Sequence, residues 1–318
     1  MTKKHRDVII IGGSAAGLSA GLVLARAQLD VLIIDARAPR NAPAEHMHGY
    51  LTRDGLAPAK FALLGRDEVR TYGSDFEYRK VARVTQLSTG GFEVHMDNDQ
   101  IETSRALLVG TGLSDEIPAI AGVKERWGTL VHHCPYCHGY EVLNQRIVVI
   151  NGASREFSIK QAGLLRRYSD HVDFLSNGSE LSPLENQKLE AQGIRIFDSK
   201  ISELLGDPHS LTGVAFEDGT TLECDAAFVG PEFLPNDRIL KSLGCEINSN
   251  TNLVKVDEFG QTSVSGVWAA GNVINPSAQV ISSAGAGSTS AIAISGWLLE
   301  KDIEKLLTSN SRTGNFSK

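Results

Sequence analysis

The stretch Val8-Ile9-Ile10-Ile11-Gly12-Gly13-Ser14-Ala15-Ala16-Gly17 decides the fold of this chain. Its first four residues are apolar and β-branched, which is typical of a buried strand. The small residues that follow open a helix, and a second apolar strand at residues 31–34 ends on Asp35. A strand–loop–helix–strand unit with an acid about 20 residues after the loop is the signature of dinucleotide binding.

The residue types of this loop match the chemistry of a pyrophosphate. Small side chains let the backbone approach the phosphates, the helix N-terminus supplies N–H donors, and Asp35 can accept from a ribose hydroxyl. Ser14 replaces the middle glycine of the usual G-x-G-x-x-G and is small enough to be tolerated. A plain structural turn is the alternative, and the loop alone does not separate FAD from NAD.

Composition limits the class of protein. The 318 residues suffice for about two domains with a core each. A net charge of -7 and a sequence pI near 5.7 argue against nucleic acid or an anionic membrane as partner. Residues 1–7 carry no signal cleavage pattern, and residues 280–299 are too rich in Ser and Gly for a membrane helix. Because four cysteines form no framework, we expect a cytoplasmic protein.

A Cys-x-x-Cys motif stands at mid-chain, in His132-His133-Cys134-Pro135-Tyr136-Cys137-His138. Two cysteines at this spacing can close and reopen a small disulfide ring, and the low-pKa thiolate is the reactive form. The histidines can exchange the accompanying protons near neutral pH. We predict a redox-active pair, with His138 as the acid/base and His133 as a further catalytic candidate.

Other interpretations of the motif stay open. Cys134, Cys137 and two histidines could bind zinc, although Cys224 and Cys245 stand alone and supply no second half of a zinc site. The pair could also be structural. A glutaredoxin-like motif is disfavoured because it would stand near the start of a small domain.

The remaining segments indicate an α/β protein with two nucleotide-binding-type units. A buried strand at residues 106–110 runs into Thr111-Gly112, and a second strand–loop–helix unit begins at residues 147–150. The alternation in residues 72–99 predicts a small antiparallel sheet inserted into the first domain. Residues 266–273 predict a late strand and turn, and a buried helix of small residues follows.

This order of blocks resembles the low-molecular-weight thioredoxin reductases, FAD-dependent members of the pyridine nucleotide-disulfide oxidoreductases, over almost the whole chain. The resemblance implies the class II architecture of two Rossmann-like, three-layer ββα domains. It implies a discontinuous FAD domain at residues 1–113 and 239–318, an NAD(P)H-binding-like domain at 114–238, and a homodimer. It also implies FAD binding by Gly12, Gly13, Ser14, Ala15, Ala16, Gly17, Asp35, Thr111, Gly112, Gly271, Asn272, Gln279 and Val280, and it places Cys137 beside the isoalloxazine ring.

One departure from the family follows the second cysteine. Where those reductases have Asp-Gly, this chain has His138-Gly139-Tyr140-Glu141, which resembles the branch of the gliotoxin and holomycin dithiol oxidases. That branch closes a small dithiol to its disulfide, and oxygen reoxidises the flavin. The Asp that is usual in the late block is Asn272 here, which we expect to hydrogen-bond the cofactor.

The second nucleotide loop departs further. A working NADPH loop would read G-x-G-x-x-A, whereas Asn151, Ala153 and Glu156 stand at those three positions. A carboxylate about 5 Å from a phosphate, at an effective dielectric near 20, costs about 3 kcal/mol, or about two decades in affinity. Residues 175–180 offer no arginine for a 2′-phosphate, and only Arg155 could compensate. We expect no productive NADPH binding.

The sequence therefore predicts an FAD-dependent thiol/disulfide oxidoreductase that is not driven by NADPH. As a dithiol oxidase it would pass electrons from a small dithiol through Cys134 and Cys137 to FAD and O₂. As a reductase it would be supplied by a ferredoxin or flavodoxin and would reduce a disulfide or a thioredoxin-like protein. The alternatives are an NADPH-dependent thioredoxin reductase, a non-enzymatic flavin redox sensor and a zinc-stabilised nucleotide-binding module.

Overall fold

The computed structural model describes residues 5–313, with side chains described to residue 309. The strands are β1 (His5–Ile11), β2 (Val31–Ile34), β3 (Asp75–Glu77), β4 (Val81–Gln86), β5 (Phe92–Met96), β6 (Ile101–Val109), β7 (Leu113–Glu116), β8 (Val131–His132), β9 (Ile147–Ile150), β10 (Val172–Leu175), β11 (Arg195–Phe197), β12 (Ile201–Leu205), β13 (Gly213–Phe216), β14 (Thr221–Glu223), β15 (Ala226–Val229), β16 (Glu232–Pro235) and β17 (Val267–Ala269). The α-helices are α1 (Ala15–Arg26), α2 (Pro58–Thr71), α3 (Pro135–His138), α4 (Arg155–Leu165), α5 (Pro183–Glu190), α6 (Arg238–Ser242) and α7 (Val280–Thr313). Residues 1–4, which belong to the N-terminal segment interpreted above, and residues 314–318 of the predicted FAD domain lie outside the described part.

The chain divides into two compact units. The first contains residues 1–39, 59–113 and 235–318, and the second contains residues 40–58 and 114–234. The sequence prediction had placed residues 40–58 in the first domain, because their composition does not signal a change of unit. Contacts within the second unit explain the difference, since Arg40 forms an ion pair with Asp115 and the turn at Gly128 packs against Pro43.

The first unit is built on a mixed sheet with the strand order β3-β2-β1-β6-β5-β4, and β17 lies beside β6. Strands β1, β2, β3, β6 and β17 pair in parallel, whereas β4 and β5 pair antiparallel. Strand β5 is bonded to the first half of β6, so the antiparallel strands continue the main sheet. The antiparallel strands predicted for residues 72–99 are confirmed as β4 and β5, and they join the main sheet through β6 rather than forming a sheet of their own.

Both faces of this central sheet are buried. Alternate side chains of a strand point to opposite faces, so Ile9 and Ile11 pack with the strands β4 and β5, and Val8 and Ile10 pack with α1 and α7. Helix α7 buries one face in the core through Ala291, Ile294 and Leu298, whereas Ile292 on its other face is 65% exposed. Among the helices of the described residues, none has the sustained hydrophobicity that a bilayer-spanning segment needs.

The second unit has a parallel sheet with the order β11-β10-β9-β15-β8. One face packs against α4 and α5 through Ala162, Leu165 and Leu189. The other face packs against the antiparallel sheet β12-β13-β14. This is the three-layer ββα arrangement, and the predicted α/β fold with Rossmann-type sheets is confirmed.

Candidate functional site

The first candidate site lies in the first unit, in the loop between β1 and α1. Gly12 has a φ of +108°, and a Cβ there would collide with the carbonyl oxygen of Gly110. A Cβ on Gly17 would collide with the carbonyl oxygen of Gly12, so only glycine permits this tight entry into α1. Ser14, the N-cap residue, makes no side-chain capping hydrogen bond. The start of α1 is therefore a bare backbone loop at the positive end of a helix, which suits a phosphate.

Asp35 stands beside this loop with an unused acceptor. It is 7% exposed, and its Oδ1 accepts a hydrogen bond from the Arg37 N–H at 2.9 Å. Its Oδ2 has no hydrogen-bond partner in the described structure and lies 3.7 Å from Arg66 Nη2. A Cβ on Gly13 would stand 2.7 Å from that oxygen. A buried acceptor facing bare backbone fits a ribose hydroxyl, so these residues fit the adenosine end of FAD.

The late block lies against the first loop within the same unit. Gly271 has a φ of +79°, and a Cβ there would be 3.2 Å from the Cβ of Ala16. A Cβ on Gly287 would collide with the carbonyl oxygen of Ala16. Val280 is the first residue of α7, and Gln279 directly precedes it. The structure thus brings both parts of the predicted FAD set together around Ala16.

The side chain of Asn272, one of the predicted FAD residues, already forms hydrogen bonds within the protein. The Nδ2 of Asn272 donates to the carbonyl oxygens of Asn275, Pro276 and Ala278 at 3.0, 3.3 and 2.9 Å. Its donors therefore hold the loop before α7, and only Oδ1 is left for a cofactor. This limits the prediction that Asn272 hydrogen-bonds the cofactor, because no free donor remains.

Thr111 and Gly112 are tied to Asn236 in a similar way. The Thr111 hydroxyl donates to the Asn236 carbonyl at 2.8 Å, and the Asn236 amide donates back to the Thr111 carbonyl at 3.1 Å. The backbone N–H of Asn236 donates to the Gly112 carbonyl at 3.0 Å. These contacts fix the turn at the end of β6 and leave it close to the glycine loop through Gly110.

The second candidate site is the cysteine motif in the second unit. Cys134 and Cys137 are joined in a disulfide, so in this state they offer no thiolate to a metal. Cys134 is the N-cap of the short helix α3, and Pro135 occupies the first helical position, where its fixed φ suits a helix start. A Cβ on Gly139 would stand 2.6 Å from the Tyr168 ring. In the described residues no cluster of three or more His, Cys, Asp or Glu side chains could hold a metal ion.

Three imidazoles flank this disulfide in the sequence, and burial depresses the pKa of all of them. Burial, followed by repulsion from His138 and His133, puts the pKa of His132 well below its usual value. Burial, aided by the Arg40 charge and opposed by Asp115, lowers the pKa of His133 to about 4. Burial lowers the pKa of His138 as well, and Glu141 opposes that effect. All three rings are therefore neutral at pH 7.

His138 belongs to a line of groups that ends at the surface of the second unit. The buried Nδ1 of His138 has no hydrogen-bond partner. The Oε1 of Glu141 lies 3.3 Å from His48 Nε2, and His48 Nδ1 lies 3.5 Å from Asp54. Glu141 and Asp54 are both exposed. Glu141 therefore contacts the imidazole of His48, a residue that the sequence did not single out.

His133 is held by a different set of partners. Arg40 Nη2 lies 3.2 Å from His133 Nε2, and Arg40 is bonded to Asp115. Trp127 stacks on the His133 ring with centroids 5.8 Å apart. Gln161, which is 1% exposed, donates to the His133 carbonyl at 2.8 Å. Trp127 is thus a packing partner of a site histidine, whereas Tyr136 and Tyr140 are 61% and 74% exposed.

The second nucleotide loop differs from the first in how its donors are used. Ser154 caps α4 by accepting from the Phe157 N–H at 3.3 Å, and the Gly152 N–H donates to the Ser158 hydroxyl at 3.0 Å. A Cβ on Gly230 would stand 2.7 Å from the Phe157 ring, so this ring covers the end of β15. The backbone N–H groups of Gly152 and Phe157 in this loop are thus already hydrogen-bonded, and the Phe157 ring lies over the end of β15.

The charges around the second loop also disfavour a phosphate. Glu156 is exposed in the first turn of α4. Arg155, expected to compensate, lies 3.7 Å from Glu185. Asn177, where an arginine for a 2′-phosphate would stand, has a φ of +53°, and its Oδ1 accepts from the Ile201 N–H at 3.0 Å. The charge of Arg155 is thus partly offset by Glu185 before any coenzyme phosphate binds.

Known proteins match the chain over nearly its whole length. Residues 6–290 match the family model described as pyridine nucleotide-disulphide oxidoreductase. Thioredoxin reductase sirT of Leptosphaeria maculans is 27% identical over 321 residues, which cover 93% of this chain and 95% of that protein. The crystal structure of HlmI shares 39% identity with a TM-score of 0.94 and 97% coverage of both chains. An oxidoreductase from Agrobacterium tumefaciens shares 34% identity with a TM-score of 0.86 and covers 93% of this chain and 99% of its own.

Proposed function

The chain belongs to the pyridine nucleotide-disulphide oxidoreductase family, and from this membership we propose that it oxidises small dithiols to disulfides with FAD and O₂, without NADPH. It is a thioredoxin reductase-like flavin disulfide oxidoreductase with a Cys134–Cys137 disulfide, as the sequence predicted. Its relatives bind FAD, and the loop at Gly12 and the free oxygen of Asp35 fit that cofactor.

The observation that carries the proposal is the contrast between the two nucleotide loops. At the first loop, Ser14 leaves the helix start uncapped, and no acid stands in the first turn of α1. At the second loop, Ser154 caps the helix, and Glu156 stands in the first turn. A phosphate needs free N–H donors and positive potential, so the first loop supports dinucleotide binding and the second opposes it.

The chain's own groups can perform a dithiol–disulfide exchange. His138, neutral at pH 7, takes the proton of a substrate thiol, and the resulting thiolate attacks the Cys134 sulfur. The Cys134–Cys137 bond breaks, and its electron pair remains on Cys137 as a thiolate. The second substrate thiol loses its proton to solvent, and its sulfur displaces Cys134 as a thiolate, so the substrate leaves as a disulfide. Bound FAD supplies the acceptor for the two electrons now held by the cysteine pair, and O₂ takes them on as hydrogen peroxide.

The exposure of the motif supports a substrate that arrives from solvent. Tyr136, within the motif, and Tyr140, three residues after Cys137, expose most of their side chains in the second unit. Exposed aromatic side chains supply contact area at low entropic cost. This surface would serve a small dithiol or disulfide and also a thioredoxin-like protein, so the substrate class must be separated by experiment.

The test is an anaerobic titration of the FAD-loaded protein, followed by the visible absorption of oxidised flavin. We expect excess NADPH to leave the absorption unchanged and dithiothreitol to remove it. Air should then restore it with hydrogen peroxide formed in step with oxidised dithiol. Cys137→Ser should block the loss of absorption, whereas Cys245→Ser, a buried cysteine outside the motif, should not.

The competing function is an NADPH-dependent thioredoxin reductase, which the name of the relative thioredoxin reductase sirT favours. Rapid loss of flavin absorption with NADPH would establish that function and reject ours. A response to a reduced ferredoxin or flavodoxin, with none to dithiothreitol, would instead identify a reductase with another donor. Slow turnover with every donor and acceptor would favour the redox sensor.

We also propose a homodimer, formed through the exposed face of α7. Ile292, Leu299 and Leu306 are spaced by seven residues and are each more than 60% exposed. Apolar residues at this spacing form a stripe that a second helix can cover. Light scattering of the wild type and of Leu299→Glu tests the dimer, since a charge in the stripe should yield monomers. The cytoplasmic location stays a prediction.

A further inference from the structure

Arg40 stands at the centre of a contact network beside the disulfide in the second unit. Its Nε and Nη2 donate to the Oδ2 and Oδ1 of Asp115 at 2.8 and 2.7 Å. The same Nη2 lies 3.2 Å from His133 Nε2. Its guanidinium carbon lies 4.9 Å from the centroid of the Phe233 ring. The guanidinium is therefore held on an edge by a carboxylate and on a face by an aromatic ring, and its Nη2 reaches both the carboxylate and the histidine.

The contact between Arg40 and His133 determines a tautomer. A guanidinium has five N–H donors and no acceptor, and it keeps its proton at any physiological pH. His133 Nε2 must therefore present its lone pair to Arg40. The proton of the neutral ring then sits on Nδ1, so His133 offers an N–H donor there. A proton on Nε2 would set two N–H groups against each other.

The surroundings of His133 keep the ring neutral and in place. The charged and titratable groups that face it are Arg40, Asp115, His138 and His132. Asp115 offsets the Arg40 charge, and its side chain is only 6% exposed. Trp127 stacks on the ring and Phe233 meets it edge-on with centroids 6.2 Å apart. A charged imidazolium in a buried, stacked position is poorly solvated, which disfavours protonation and agrees with a pKa lowered to about 4.

We propose that Arg40 is a positioning residue that locks His133 as an Nδ1–H donor, so that His133 stabilises negative charge on sulfur while His138 alone exchanges protons. This inference rests on the proposed dithiol oxidation. It divides two roles that the sequence assigned jointly to the histidines. Arg40 acts through His133 and does not itself touch the substrate.

The step it serves is the attack of a substrate thiolate on the disulfide. One substrate S–H bond breaks, and its proton goes to His138. A new bond forms between the substrate sulfur and Cys134, and the electron pair of the broken disulfide moves to Cys137. A neutral N–H donor lowers the energy of thiolate charge without capturing the sulfur as a thiol, because the donor keeps its proton. No oxidant or reductant beyond the disulfide is needed.

The test reads the tautomer by nitrogen NMR of oxidised, FAD-loaded protein with isotope-labelled histidine. His133 is assigned by the signal that disappears in His133→Gln. In the wild type we expect an Nδ1–H, Nε2-unprotonated ring that does not titrate between about pH 5 and pH 8. In Arg40→Met, which keeps an apolar stem but no donor, we expect a large share of the Nε2–H tautomer. Arg40→Lys, which still donates, should restore the wild-type signal.

A matched control is available in the same unit. Arg195 donates to both oxygens of Asp173 at 2.7 Å and lies 5.5 Å from the Phe197 ring centroid, the same pattern without a histidine. Arg195→Met should leave the His133 signals unchanged. Because Arg40→Met leaves the buried Asp115 without its cation, Arg40→Met/Asp115→Asn serves as the second variant if the single one does not fold.

Activity separates this inference from the proposed function. The dithiothreitol step should slow about 10-fold or more in Arg40→Met and recover in Arg40→Lys. An Nε2–H ring in the wild type, or a wild-type tautomer in Arg40→Met, would overturn the inference. So would a changed tautomer with an unchanged dithiol step. If dithiothreitol fails to reduce even the wild type, the proposed function fails, and the NMR result alone decides whether Arg40 sets the tautomer.

Discussion

The imidazole rings of His132 and His138 stack with their centroids 4.2 Å apart, and the Nδ1 of each ring is buried without a hydrogen-bond partner in the described structure. Two positive charges at this distance would repel, and burial opposes either charge. At most one of the two rings can therefore be protonated to the charged imidazolium form. Burial depresses the pKa of His132 further than that of His138. His138 is thus the ring that can gain and lose a proton during the reaction.

The first prediction is that His138→Gln slows the dithiol step by about 100-fold to 10,000-fold, the range for loss of a general base. Glutamine keeps a polar side chain but cannot take a proton. The measurement is the rate at which dithiothreitol removes the flavin absorption under anaerobic stopped-flow mixing. The matched control is His209→Gln, an exposed histidine of the second unit. An unchanged rate in His138→Gln would mean that another base serves the thiol.

The second prediction concerns the pH dependence set by Glu141. Burial lowers the pKa of His138, and the Glu141 carboxylate opposes this by favouring the charged imidazole. In Glu141→Gln the pKa of His138 should therefore fall further. A base is lost when it becomes protonated, so the acid limb of the dithiol reaction should move to lower pH. Rate–pH profiles of the wild type and the variant measure the shift, and a limb that moves upward would contradict the assignment.

The third prediction is a loss of stability in acid. A histidine whose pKa is depressed on folding binds more protons in the unfolded chain, so the free energy of unfolding falls as the pH drops below the unfolded pKa. For His133 this window runs from 6.5 down to about 4. Its full effect is on the order of 3 kcal/mol. Above about pH 6.5 the contribution is fully present.

Urea unfolding midpoints between neutral pH and about pH 5 check this window. His132→Phe removes one depressed group and keeps a ring beside Phe228, so its midpoint should depend less on pH. The exposed variant His209→Gln should follow the wild type. Equal slopes in all three proteins would show that the buried imidazoles do not govern acid stability.

The part of the site that is contiguous in the sequence could be predicted from the sequence. The glycine loop at Gly12 and the Cys134–Cys137 pair carry their chemistry in a few adjacent residues, and the strand before the glycine loop is a β-branched run. Arg40 and His133 are separated by 93 positions, and their contact depends on residues 40–58 joining the second unit. A short sequence pattern does not show that a distant segment packs against the site, so Arg40, Asp115 and His48 were not predicted as site residues.

A residue that is predicted to bind the cofactor can instead hold the structure of the protein. Asn272 was expected to hydrogen-bond the cofactor because of its position in the late block. Its amide instead donates to three carbonyl oxygens of the following loop. Sequence shows that a side chain can donate, but the nearest acceptors are set by a loop conformation that no short pattern encodes.

The fourth prediction is that restoring the acid usual in the family, by Asn272→Asp, damages the protein. A carboxylate has no donor for the three carbonyls and adds a negative charge beside them, which costs about 1–3 kcal/mol. We expect a lower thermal midpoint and a lower ratio of bound flavin to protein. Asn275→Asp is the control, because Asn275 uses only its Oδ1, as acceptor from the Ser277 N–H and hydroxyl. Wild-type flavin retention in Asn272→Asp would contradict the role given to the amide.

The fifth prediction tests the approach of α7 to the FAD loop. A Cβ at Gly287 would collide with the carbonyl oxygen of Ala16, whereas a Cβ at Gly285, two residues earlier, would meet nothing within 4 Å. Gly285→Ala should therefore stabilise the helix by about 0.5–1 kcal/mol, and Gly287→Ala should cost about 1–3 kcal/mol by overpacking. Because Ala16 lies at the start of α1, Gly287→Ala should also release flavin. Thermal midpoints and flavin-to-protein ratios measure both effects, and equal behaviour of the two variants would show that the helices can separate without disturbing the cofactor loop.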